Sequence, residues 1–153
     1  MTLARELKIS TAEEMHDLGL ELSKELKAGD LVILTGPLGA GKTTLTRGVG
    51  EGLKAIGNVS SPTFVIARTH KREGSIVPLV HVDAYRLGSV HEFDDLDIDL
   101  PNSIVLVEWG RGFAEDLTDT WLDLEIERSS DPESDERTVK LQGVGERWDG
   151  VLA

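Results

Sequence analysis

The sequence predicts an α/β domain in which a central, mostly parallel sheet is flanked by helices and extended by antiparallel hairpins. Three observations predict it. Leu31-Val32-Ile33-Leu34 is a short apolar run that enters a glycine-rich turn and leaves it as a helix, with Leu45, Val49 and Leu53 at helical spacing. Ser103 to Val107 is a second continuous apolar run, which suits a strand buried on both faces of a sheet. Two pairs of β-rich runs, each divided by a polar segment, read as hairpins.

Taken in order, the elements start at Ser10 and Thr11. With Glu13 and Glu14 these offer two overlapping capping boxes for a helix whose apolar stripe is Met15, Leu18, Leu22 and Leu26. Lys27 and Gly29 are expected to end it. Asp30 begins the strand that feeds the glycine-rich turn. After the following helix, Gly57-Asn58 breaks the pattern, and Pro62 pushes Ser61 away from helical geometry in the loop Val59 to Thr63. Phe64 to Thr69 and Ile76 to Val82 form the first hairpin, with Pro78 at an edge or a bulge. Ser89 and Glu92 make another capping box for a short acidic segment that Pro101 stops. Leu122, Leu124 and Ile126 alternate with Asp123, Glu125 and Glu127, a strand with one wet face, and Thr138 to Leu141 pairs with it. The whole of 1–153 is read as one domain with a core of about 10–141 and a glycine-rich tail over 143–153 that is loose apart from Trp148.

The chemistry concentrates at Gly36 to Thr44. Gly36, Gly41, Lys42 and Thr43 fit the P-loop pattern G-x-x-x-x-G-K-[ST]. Glycines let the backbone of Gly36, Leu38, Gly39, Ala40 and Gly41 bend so that successive N–H groups face phosphate oxygens. Lys42 adds a mobile cation, the Thr43 hydroxyl can ligate Mg²⁺, and the helix carrying Thr44 adds its positive end. A structural turn has no use for Lys and Thr directly after its last glycine. The fold class is therefore P-loop NTPase-like.

Hydrolysis needs an acid at a neighbouring strand end, to hold the water shell of Mg²⁺ or to polarise the attacking water. Two candidates exist. Glu108 follows Ile104-Val105-Leu106-Val107, the Walker B arrangement, and Asp83 ends the preceding run. His81, Asp83 and Tyr85 share one strand face, where three polar groups converge or else lie on an exposed hairpin face. Ser61 and Thr63 stand where many P-loop proteins keep the loop that senses the γ-phosphate. Trp109 either packs in the core or flanks the nucleotide. No second His lies at ligand spacing from His81, so zinc is not expected.

Composition narrows the function. The 153 residues contain no cysteine, which excludes disulfides and thiolate metal sites. No run approaches a membrane span and Met1 to Ser10 carry charges without an apolar stretch, so a soluble, cytoplasmic protein is expected. The net charge of −12 is uneven: residues 1–91 hold 11 Lys+Arg and 10 Asp+Glu, whereas residues 92–153 hold 5 and 18. Nucleic-acid binding rests on Lys/Arg neutralisation of phosphates, so this chain is not expected to grip RNA by itself.

Gly36-Pro37-Leu38-Gly39-Ala40-Gly41-Lys42-Thr43-Thr44, Ser61-Pro62-Thr63-Phe64, His81-Val82-Asp83-Ala84-Tyr85-Arg86-Leu87 and Glu108-Trp109 together resemble the TsaE (YjeE) family, small P-loop ATPases of bacterial tRNA threonylcarbamoyladenosine synthesis. The resemblance spans roughly residues 10–141. It implies that Lys42 and Thr43 serve ATP and Mg²⁺, that Ser61 to Thr63 are a switch-like segment, and that Asp83 and Glu108 are functional acids. It further implies that Thr11 lies near the base and that Arg137 matches an arginine of the last hairpin. The partners it implies are the TsaD and TsaB proteins, with tRNA adenosine 37 reached only through them. Where family members often carry a polar or acidic residue after the Glu-Trp pair, this chain has Gly110-Arg111-Gly112. The competing class is a small-molecule P-loop kinase, although residues 92–153 contain only four Arg for a lid. A GTPase is disfavoured because no N-K-x-D segment follows the switch region.

Overall fold

The computed structural model describes residues 2–37, 41–57, 67–84, 96–109, 118–131 and 133–148. They build one seven-stranded sheet in the order β1-β7-β6-β2-β5-β4-β3. The strands are β1 (Thr2–Ile9), β2 (Leu31–Thr35), β3 (Ala67–Arg72), β4 (Ser75–Asp83), β5 (Ile104–Glu108), β6 (Trp121–Arg128) and β7 (Arg137–Val144). The helices are α1 (Ala12–Ser23) and α2 (Lys42–Gly52). β6, β2, β5 and β4 run parallel as the centre, while β3, β7 and β1 add antiparallel pairs at the flanks.

The two apolar runs behave as their composition demands. Every residue from Leu31 to Leu34 and from Ile104 to Glu108 is buried, because helices cover one face and further apolar side chains cover the other. β6 shows the expected alternation, with Leu122, Leu124 and Ile126 fully buried. Register matters most for function. Leu34 pairs with Glu108, and Glu108 pairs with Asp83, so the parallel strands end level with one another at one edge. The turn after β2 rises from that edge.

Helix α1 is capped at Thr11, whose hydroxyl accepts from the Glu14 N–H at 3.1 Å, while the Glu14 carboxylate accepts from the Ser10 N–H at 3.1 Å. It packs on α2 through glycines. A Cβ at Gly19 would collide with the Leu45 carbonyl, and one at Gly48 with the His16 carbonyl, so neither position admits a side chain. This close crossing sets the start of α1 beside the start of α2.

Several expectations change. No element was assigned before Ser10, yet Thr2–Ile9 pairs along its length with β7. Its charged residues Arg5, Glu6 and Lys8 suit a strand at the rim of a sheet and hide the pattern of a core strand. α1 ends at Ser23 rather than near Lys27, because the Ser23 hydroxyl donates back to the Leu20 carbonyl at 2.6 Å; Leu26 reaches the core from the turn beyond. β4 is an interior strand, and Pro78 sits at the bulge where its register with β3 shifts, before its ladder with β5 starts at Leu79. Pro101 stands inside a 3₁₀ turn, Leu100–Asn102, rather than after a helix; Ser89 and Glu92 lie outside the described residues.

Of the tail expected to be loose apart from Trp148, residues 143–148 are ordered beyond that one residue, and 149–153 lie outside the described residues. β7 continues to Val144, and Glu146–Trp148 forms a 3₁₀ turn with Trp148 buried. Arg147 explains the docking: its Nε donates to Asp30 Oδ1 at 2.9 Å and its Nη2 to Oδ2 at 2.8 Å, and the guanidinium stacks 4.4 Å from the Trp148 ring centre. Asp30 is buried at the entry to β2. Arg147→Ala leaves that carboxylate with fewer donors and is expected to lower stability by about 1.5–3 kcal/mol, the scale of a hydrogen bond to a charged group, a fall of roughly 3–12 °C in Tm. Thermal unfolding followed by circular dichroism checks it.

Candidate functional site

The glycine-rich turn works because of its two ends. Gly36 is buried just past the carboxyl end of β2. Gly41 caps α2 at φ 112°, a left-handed conformation strained for any side chain, and a Cβ there would press on the Met15 methyl at 3.2 Å. Leu38, Gly39 and Ala40 lie outside the described residues, as do Ser61 and Thr63, and Tyr85 of the 81–85 face.

Lys42 opens α2 and folds back over the sheet edge. Its ammonium donates to the Gly36 carbonyl and lies 4.3 Å from the centre of the Trp109 ring. Desolvation lowers its pKa from the ordinary lysine value; the Glu108 and Asp83 carboxylates act in the opposite sense and favour the ammonium. A cation, two carboxylates and an indole thus gather around the first turn of α2, where Thr43 and Thr44 also stand. Trp109 is half-buried at φ 59°, with its N–H donating to the Leu34 carbonyl at 2.8 Å. It is neither a core residue nor a free surface one.

Glu108 is buried, and its Oε2 lies 2.7 Å from His81 Nε2. His81 is fully buried, which removes the alternative of an exposed hairpin face at this position. Asp83, directly opposite Glu108 in the ladder, is half-buried. Thr43, Asp83 and Glu108 together offer one hydroxyl and two carboxylates, a donor set that suits a hard cation shared with phosphate oxygens. Among the described residues, no group of three or more His, Asp or Glu side chains is placed to hold a metal on its own.

Next to the turn lies a pocket of about 210 Å³ lined by Thr11, Met15, Gly41, Thr44, Asp135 and Arg137. Thr11 and Arg137, 126 positions apart, thus meet beside the helix start. Arg137 is held at the rim by its Nη1, which donates to the carbonyls of Ser134 at 3.1 Å and Glu136 at 3.0 Å. Met15, almost fully buried, contributes an apolar side chain to the lining. Sequence reasoning did not single out Met15 or Asp135; Met15 looks like a core residue of α1, and only the α1–α2 crossing brings it to the turn. A larger concavity of about 390 Å³ lies across β1, β7 and β6, bounded by Glu6, Asp123, Glu125 and Lys140, and contains none of the expected site residues.

Comparison with known proteins shows the family to which the chain is similar. The family described as "Threonylcarbamoyl adenosine biosynthesis protein TsaE" matches residues 9–139. A Streptomyces coelicolor protein named tRNA threonylcarbamoyladenosine biosynthesis protein TsaE is 57% identical over 138 residues, covering 88% of this chain and 93% of the relative. Proteins of the same name from Mycobacterium tuberculosis and Bacillus subtilis are 45% and 39% identical, over 77% and 80% of this chain and 76% and 75% of the relatives. Among solved structures, Bacillus subtilis YdiB superposes with a TM-score of 0.73 at 30% identity, covering 97% of this chain and 91% of that one.

Proposed function

The chain belongs to the TsaE family of threonylcarbamoyl adenosine biosynthesis proteins, and from that premise we propose that it is a Mg²⁺-dependent P-loop ATPase that serves tRNA threonylcarbamoyladenosine formation through a TsaB–TsaD complex. One observation carries the hydrolytic part of this reading. Lys42, Glu108 and Asp83 converge at the carboxyl edge of the parallel sheet, next to the glycine turn and the first turn of α2.

In this reading 1–153 acts as a single ATPase domain in the cytoplasm. The backbone N–H groups between Gly36 and Gly41 cradle the β- and γ-phosphates, and Lys42 leaves the Gly36 carbonyl to meet them. Thr43, with Asp83 and Glu108, would hold Mg²⁺, which would supply charge neutralisation on the phosphate oxygens. Glu108 orients and accepts a proton from the attacking water. Thr11, Thr44 and Arg137 border the base, Ser61 and Thr63 sense the γ-phosphate, and Trp109 flanks the nucleotide. With an acidic second half, the chain reaches tRNA only through its partners.

Adding Mg-ATP draws the Lys42 ammonium off the indole, so tryptophan emission is expected to change. A Trp109→Phe variant should lose most of that change, since Trp109 is the tryptophan against Lys42 while Trp121 and Trp148 supply the background emission. The function itself is tested by reconstituting threonylcarbamoyl transfer to tRNA with TsaB and TsaD. Repeated rounds are expected to require this chain and ATP. Equal product with and without it would refute the assignment.

A further inference from the structure

We propose that the corner of the sheet where the β3–β4 hairpin meets the end of α2 is a docking surface for the TsaB–TsaD pair, fitted to a protein surface that presents an apolar group among carboxylates. The inference rests on the partner reading given above and adds to it the face that meets the partner. Ile56 and Ile76 are its centre: among the described residues they are the large apolar side chains left in water, 55% and 100% exposed. The sequence separates them and the fold brings them together. Past α2 the chain turns at Lys54 and runs back along β3: Ala55 bridges to Arg72, the Ile56 N–H donates to the Lys71 carbonyl at 2.7 Å, and the Glu73 N–H donates to the Lys54 carbonyl at 3.0 Å. Arg72 pairs in turn with Ser75 of β4. Ile56 and Ile76 therefore stand on either side of Lys71, two strand spacings or about 10 Å apart. Ala55 and Val77 pack toward the core beneath the helices, so their alternate neighbours Ile56 and Ile76 face the other side of the sheet.

The backbone of this corner is held in place from below. Arg72 Nε donates to the Leu53 carbonyl at 2.8 Å and its Nη1 to the Val77 carbonyl at 3.2 Å, while His70 Nδ1 lies 3.2 Å from the Ile56 carbonyl. Little ordering is left to do when a partner arrives. Charge identifies the occupant. Residues 52–57 and 67–76 hold four Lys or Arg and one Glu, on a chain of net charge −12. Lys54 and Lys71 are exposed, and neither makes an ion pair among the described residues. Carboxylates from a partner would pair with them, and an apolar group between those carboxylates would cover the two isoleucines. Exposed isoleucines gain nothing against a phosphate backbone, and so few cations hold one weakly, so the fit is to a protein rather than to RNA. Docking here also leaves the nucleotide turn open. Ile76 lies near the start of β4 and Asp83 at its end, about 23 Å along the strand at the usual rise per residue.

The test measures, by calorimetry with Mg-ATP present, the affinity of the TsaB–TsaD pair for the full chain carrying Ile76→Asp, Ile76→Lys, Lys71→Glu or, on the opposite edge strand, Lys8→Glu. All three positions are exposed, so the variants should unfold with the wild-type protein and keep its Mg-ATP affinity. Ile76→Asp removes the apolar contact and sets a carboxylate against carboxylates; it is expected to weaken binding about 10- to 100-fold, the effect of losing an interface anchor. Ile76→Lys removes the same contact but attracts those carboxylates, and should lose clearly less. Lys71→Glu should lose about 10-fold, whereas Lys8→Glu, the same charge change at the far edge, should stay within about twofold of wild type. Wild-type affinity in Ile76→Asp and Lys71→Glu, equal loss in Ile76→Asp and Ile76→Lys, or equal loss in Lys8→Glu and Lys71→Glu would overturn the inference. So would a dimer of this chain that Ile76→Asp dissolves, or direct tRNA binding that Lys71→Glu abolishes, since either gives the corner another occupant. Failure of the wild-type chain to bind the pair at all would instead bring down the partner reading on which the inference rests.

Discussion

Replacing Lys42 with alanine is expected to weaken ATP binding by about 1.5–3 kcal/mol, the scale of a hydrogen bond to a charged group, which is roughly 10- to 100-fold in Kd. In the protein the ammonium is held by the Gly36 carbonyl, the Trp109 face and the Glu108 and Asp83 carboxylates. None of these is a bond that the ammonium loses without compensation when phosphate oxygens arrive, so most of its interaction with nucleotide is net gain. Removing it also leaves two carboxylates facing each other across the β4–β5 ladder without their cation. That repulsion adds to the loss for an anionic ligand. Lys42 contributes little to the core, so the variant should unfold near the wild-type temperature. Unchanged ATP affinity by calorimetry would refute the phosphate site at this turn.

Glu108→Gln is expected to reduce turnover about 10²- to 10⁴-fold, the range for removing a group that takes a proton in the transition state, while ATP still binds. The substitution is unusually clean here. Glutamine is isosteric, and its side-chain amide can either accept from or donate to His81 Nε2, which lies 2.7 Å from Glu108 Oε2, so the buried contact can persist. What disappears is the negative charge at Oε1. Lys42, Thr43, Asp83 and the backbone of the turn remain to bind Mg-ATP, and of the proposed contacts only the share of Glu108 in holding Mg²⁺ is weakened. Turnover at the wild-type rate would remove Glu108 from the reacting centre and leave Asp83 as the acid.

Much of this site was legible because its parts are local. The run Leu31 to Leu34, the turn and α2 are adjacent in sequence, and the Ile104 to Glu108 run declares both a buried strand and the acid at its end. The contact between His81 and Glu108 was not legible. It depends on a parallel pairing of β4 and β5 and on its register, neither of which alternation or composition determines. The same holds for Thr11 and Arg137, which the family resemblance had to supply and which only the close glycine crossing of α1 and α2 and the β6–β7 hairpin set on one pocket. β1 escaped notice for a different reason. A charged strand at the rim of a sheet takes its stability from backbone pairing with β7 rather than from an apolar pattern, and the Lys8 ammonium even bonds the Thr138 hydroxyl at 2.9 Å on the exposed side. The docking of Arg147 was not legible either, because it looks like a surface charge until Asp30, 117 positions earlier, is found buried beneath it.

The acidic second half gives the account its shape. A chain with 18 Asp+Glu and 5 Lys+Arg over residues 92–153 is poorly suited to hold tRNA, and in the proposed function its contribution to tRNA chemistry passes through other proteins. Phosphate release from Mg-ATP, measured with the isolated chain and again after adding the TsaB–TsaD pair, tests this most directly. A slow rate that the pair stimulates, and that Glu108→Gln abolishes, is the predicted result; a rate indifferent to the pair would contradict the account.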